Sequence, residues 1–124
     1  MPNQYKEILL QDICARLPYG VKIRRIIYTT HTDTIESVET LNAYWLTEFL
    51  QEGNIKPYLR PMSSMTDEEK SYFHNFKYWI LKGDVENCTI HMVDWLNAHH
   101  FDYRGLIEKG LALEATEGIY KIKN

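Results

Sequence analysis

Tyr5, Ile8, Leu9, Ile13 and Leu17 follow the i, i+3/i+4 rhythm of one apolar helical face. Asn3 can cap its start and Pro18 stops its end, so a helix is predicted over residues 4–17. Pro18-Tyr19-Gly20 then reads as a turn. Val21 to Tyr28 is rich in β-branched and aromatic residues and reads as a strand. Val21, Ile23 and Ile27 share one face, with Arg25 as the intruder. After a polar turn at residues 30–33, a weaker strand runs from Thr34 to Thr40, because Ile35 and Val38 fall on opposite faces.

Residues 41–50 fit two periods. Leu41, Tyr44, Trp45 and Phe49 match a helix, and the same stretch matches a strand apolar on both faces. Gly53-Asn54 is a turn, and Pro57 and Pro61 limit Ile55 to Leu59 to an edge strand or an extended linker. Thr66 and Glu69 have the spacing of a capping box: the hydroxyl takes a free helix amide and the carboxylate reaches back to the cap amide. The helix they open carries Tyr72, Phe73, Phe76, Trp79 and Ile80 as its apolar stripe and ends at Gly83. A further helix runs from about Thr89 to His99 with Ile90, Val93, Trp95 and Leu96 inward. Asp102 can cap a short last helix, Tyr103 to Lys109, before an alternating tail from Gly118.

The order of these elements predicts an α+β fold: an N-terminal helix, a small antiparallel β-meander over 21–59, then helices over about 66–110. At 124 residues the chain fits one domain, since halves divided near 60–65 would each be marginal alone. No apolar run nears the roughly 18 residues of a membrane span, and the first residues lack a signal-peptide pattern, so a cytoplasmic location is expected. The net charge of -3 arises wholly after residue 65, and neither half has the basic excess of a general nucleic-acid binder. Cys14 and Cys88 form no CxxC pair and, set among apolar neighbours, read as buried free thiols.

Three stretches stand out together: Ala15 to Val21 (ARLPYGV), Asn54 to Thr66 (NIKPYLRPMSSMT) and Trp95 to Leu113 (WLNAHHFDYRGLIEKGLAL). Through them the chain resembles, over nearly its whole length, a family of short uncharacterised proteins of gut anaerobic bacteria and of their phages and mobile elements. The family has no assigned activity, cofactor or catalytic residues, so the resemblance carries over no site. It implies a β-rich region before NIKPYL, which tips residues 41–50 towards strand. By analogy it also favours a small regulatory or interaction protein over a metabolic enzyme.

His99, His100 and Asp102 form the most reactive-looking cluster, with imidazole and carboxylate able to bind a divalent metal or transfer protons. The bland reading competes: two histidines suit the negative end of a helix, and Asp102 caps the next helix. His91 and His99 are a little over two turns apart and cannot share a metal on a straight helix. His74 reads as a boundary residue, and His91 with Asp94 as a surface pair. Signatures such as GxSxG, the P-loop, GxGxxG and HExxH are absent from the sequence. Arg16, Lys22 and Arg24 with Tyr28 nearby form the one basic, aromatic cluster that could meet a nucleic acid. Leu106 to Leu111 is similar to the end of a winged-helix DNA reader, but its acidic neighbours match phosphate poorly. Nine Tyr, three Trp and four Phe in so short a chain suit a protein interface, including a homodimer. The first expectation is therefore a non-enzymatic adaptor or regulator with a protein partner and no cofactor. Nucleic-acid binding through Arg16, Lys22, Arg24 and Tyr28 is the second reading. A metal-assisted hydrolase at His99, His100 and Asp102 is the third.

Overall fold

The computed structural model describes residues 3–28, 34–44, 55–83, 85–116 and 118–120. The fold is α+β. Helix α1 (Asn3–Arg16) is followed by a 3-10 turn at Leu17–Tyr19 and by strands β1 (Lys22–Tyr28) and β2 (Thr34–Thr40). Strand β3 (Ile55–Leu59), helices α2 (Asp67–Leu81) and α3 (Val85–Ala98) and the two-residue strand β4 (Leu113–Glu114) complete the order. No helix among the described residues is long and apolar enough to cross a membrane.

The sheet runs β2-β1-β3-β4. β1 pairs antiparallel with both β2 and β3, whereas β4 joins β3 in parallel. A meander in sequence order would place β2 in the middle; here β1 is central. Val21 and Ile23 are fully buried, whereas Val38 on β2 is exposed. β3 alternates, with Ile55, Pro57 and Leu59 buried and Lys56 and Tyr58 between them. The two prolines suggest an edge strand or linker, yet β3 has a neighbour on each side. β4 engages only Tyr58 and Leu59, so Pro57 lies outside that short ladder.

Leu9 and Ile13 of α1 pack on Val21, Ile23, Ile55 and Leu59, closed by Leu41, Leu106, Leu111 and Ala112. Asp12 and Arg16 lie on the same buried face of α1. Cys14 is exposed, not buried: one residue past Ile13 is about 100° round the helix from the core side. A second cluster joins Met65, Leu96 and Phe101, with Phe73, Met92, Trp95 and Tyr103 against it. α2 and α3 pack on each other through Tyr72, Phe73 and Phe76 around Trp95. Ile90, expected inward, is exposed, because it lies across α3 from Met92, Trp95 and Leu96. Tyr72 is also half exposed, on the flank of its stripe.

The capping box forms: Glu69 N–H donates to Thr66 Oγ1 at 3.1 Å and Thr66 N–H to Glu69 Oε1 at 2.9 Å. The short helix expected at 103–109 is a run of turns instead, since Gly105 takes φ 72, outside any helix. Ala43 and Tyr44 are helical, which fits the helical one of the two periods read over 41–50 and not the strand that the resemblance favours. Residues 45–50, the turns at 30–33 and 53–54, the last four residues and the Tyr28 and Cys88 side chains lie outside the described residues.

Candidate functional site

The most polar part of the interior is built on the turn that ends α3. His99 N–H donates to Trp95 O (3.0 Å), His100 N–H to Asn97 O (3.1 Å) and Phe101 N–H to Leu96 O (3.0 Å). This is a Schellman end, with His100 at the left-handed position that glycine usually fills, at φ 64. The chain then adds a parallel bridge to the end of β3. Arg60 N–H donates to His100 O at 2.7 Å and Asp102 N–H to Arg60 O at 2.8 Å.

Two buried arginines hold this turn. Arg60 meets Glu69 through two bonds of 2.8 and 2.6 Å, donates to His99 O at 3.3 Å and lies 4.1 Å over the Phe101 ring. Arg16 donates to Asp12 Oδ2 at 2.8 Å and to Phe101 O at 2.7 Å. Arg104 approaches Asp12 Oδ1 at 3.5 Å from the partly exposed side. Glu69 thus serves Arg60 and the α2 cap together. Burial alone would raise its pKa, but Arg60 and the Thr66 N–H outweigh burial and hold it below the ordinary carboxylate value.

His99 packs against Trp95 with ring centroids 4.7 Å apart and planes tilted by 39°, and has Nδ1 3.5 Å from Glu69 Oε2. Burial lowers its pKa and the Arg60 charge adds to this, against the pull of Glu69. His100 stacks on Tyr120 at 3.8 Å and 12°. Burial first, then the charges of Arg16, His99, Arg60 and Lys22, push its pKa down to about 4, so it is neutral at pH 7. Its Nδ1 is buried without a hydrogen-bond partner among the described residues. The Tyr120 hydroxyl accepts from Lys22 N–H and donates to Tyr58 O, each at 2.7 Å, and burial raises its pKa. Asp102 accepts the Leu106 and Ile107 amides at 2.8 and 3.0 Å. A crevice of about 390 Å³ lies beyond β3 and β4, between Arg60–Ser64 and Glu114–Thr116, with Tyr120 in its wall.

The histidine pair and Asp102 therefore share a turn but not a purpose: His99 faces Glu69, His100 faces Tyr120, and Asp102 serves backbone amides. Among the described residues no group of three or more His, Cys, Asp or Glu is placed to hold a metal ion. The basic cluster divides as well. Arg16 is fully buried and points away from solvent, while Lys22 and Arg24 lie on the sheet face opposite Val21 and Ile23. Lys22 Nζ donates there to Thr40 Oγ1. Lys56 stands directly across from Arg24 and joins that face.

Sequence reasoning missed Asp12, Arg60 and Tyr120. The Asp12–Arg16 spacing of four was a readable signal. Arg60 and Tyr120 gave none, because their partners come from distant parts of the chain. Comparison of the chain with family models, curated proteins and solved structures found no match.

Proposed function

We propose that this chain is a small non-enzymatic adaptor or regulator that works by binding another protein. One contrast carries the reading: the site's charges point inward and are used by the fold, while large apolar side chains point outward. Asp12, Arg16, Arg60, Glu69 and Asp102 are all buried in bonds that hold the α3 turn. Tyr72, Tyr78 and Ile90, on α2 and α3, are 52%, 49% and 61% exposed. Tyrosines of this kind contribute much area to an interface at low entropy cost. The resemblance to phage and mobile-element proteins fits a cytoplasmic regulator. A photo-crosslinking residue at position 72, 78 or 90, with position 108 as control, tests the reading in host lysate. A protein partner trapped at the first three positions but not at 108, and retained after nuclease, supports it. Equal labelling at all positions, or turnover of a small substrate that survives loss of Tyr72 and Ile90, overturns it.

Binding of nucleic acid through the outer sheet face is the second reading, favoured by the register that sets Lys56 opposite Arg24 beside Lys22. Anisotropy with labelled DNA and RNA tests it: affinity should fall steeply between about 50 and 200 mM salt, and absent or salt-insensitive binding removes it.

A further inference from the structure

The phenol of Tyr120 stands where the sheet would otherwise make a backbone hydrogen bond. β1 and β3 pair Arg25 with Ile55, Arg24 with Lys56 and Ile23 with Pro57. The same register brings Lys22 opposite Tyr58 at the next rung. There the Lys22 N–H donates to Tyr120 Oη, and that hydroxyl donates to Tyr58 O, both at 2.7 Å. The hydroxyl is thus inserted between a donor and an acceptor that antiparallel register aligns with each other. The ring is secured by its stack on His100, and it also walls the crevice beyond β3 and β4.

We propose that Tyr120 is a displaceable wedge: inserted, it docks the Gly118–Tyr120 turn on the sheet; withdrawn, it lets the Lys22–Tyr58 rung close directly and opens the crevice it walls. Withdrawal strands neither group on the sheet that the phenol serves, because the Lys22 N–H and the Tyr58 C=O become each other's partners. Insertion gains the stack and the partial burial of the ring against the core. It costs the order of a surface turn held by an Ile119 N–H bond to Thr116 O at 3.2 Å. Terms of opposite sign are what a two-state element requires.

Native-state hydrogen exchange of the full chain, read amide by amide, tests this. In the wild type, Ile119 should exchange by local opening, at least about tenfold faster than the best-protected β1 amides, while Lys22 stays with β1. In Tyr120→Ala, Ile119 should lose protection and Lys22 should keep it to within about tenfold, now bonded to Tyr58. Loss of Lys22 protection together with Ile119 would overturn the proposal, as would exchange of wild-type Ile119 only through global unfolding. The wild-type measurement decides the matter alone should the variant fail to fold.

Discussion

Arg16→Met separates a structural arginine from one that meets a partner. The side chain is fully buried, and Met fills much of its volume, so the change mainly removes charge and hydrogen bonds. The 2.7 Å bond to Phe101 O is charge-assisted, worth about 1.5–3 kcal/mol. Its loss also strips Asp12, itself fully buried, of the 2.8 Å partner that balances it. Leaving one member of such a pair alone costs about 3–5 kcal/mol. Arg104, already 3.5 Å from Asp12 and partly exposed, can recover some of this. The two losses overlap, so a net cost of about 3–4 kcal/mol is expected, a large share of the roughly 5–15 kcal/mol that holds a domain together. Urea unfolding measures it, as a lower midpoint at unchanged slope. Asp12→Leu combined with Arg16→Met should cost less than the sum of the two single changes, because the pair then leaves together. A cost below about 1 kcal/mol, or strict additivity, would refute the reasoning. A role on a nucleic-acid surface predicts the opposite pattern: weaker binding at unchanged stability.

Glu69→Ala removes the carboxylate half of the α2 capping box and the Arg60 counter-charge in one step and should destabilise by about 3–5 kcal/mol in urea melts, with Thr66→Ala, which removes the hydroxyl half, costing only about 1 kcal/mol. The pKa of His100 falls from the ordinary 6.5 to about 4 on folding, so the unfolded chain takes its proton first and stability falls as pH drops through that window. The full gap would be about 3 kcal/mol; solvent screening of the partly open ring reduces this to about 1–2 kcal/mol. His100→Gly should flatten that part of the pH–stability curve and stay within about 1 kcal/mol of wild type at pH 7, since glycine relieves the left-handed backbone while losing the Tyr120 stack. Melting temperature should be unmoved by zinc or a chelator; a saturable rise with zinc that His99→Ala abolishes would revive the metal reading. Cys14 should react with a thiol reagent in the folded protein, and Cys14→Ser should change stability by less than about 0.5 kcal/mol.

What could be read in the sequence was what short-range chemistry determines. The Thr66–Glu69 box depends on neighbours within a few residues, and it formed; Asp102 caps no helix and instead accepts the Leu106 and Ile107 amides of a run of turns. Asp12 and Arg16 were within the same reach but hidden, because two charges on an apolar face look like a break in the rhythm rather than a buried pair. Strand order was out of reach: β1 becomes central only because β3 returns to its far side and is then covered by β4. The turn after α3 shows the same limit. A histidine at a glycine position gives no local warning. It is held there by a tyrosine 20 residues later and by arginines from α1 and from the end of β3.

That turn also explains why its histidines are a poor place to look for metal chemistry. A helix end leaves carbonyls that need donors. Here backbone amides take Trp95, Leu96, Asn97 and His100 O, the Arg60 side chain takes His99 O, and the Arg16 side chain takes Phe101 O. Two of the donors arrive as guanidinium groups, so Arg16 and Arg60 set a positive field around His100, which adds to burial in lowering its affinity for a proton. The same field acts against a divalent cation. The carboxylates that might offset it are engaged: recruiting Glu69 would strand Arg60 and the Thr66 N–H, and recruiting Asp102 would free two buried or half-buried amides. A metal at this turn would have to displace the bonds that form it. The chemistry concentrated here shapes the backbone, and binding is better sought on the exposed side chains of α2 and α3 and on the outer face of the sheet.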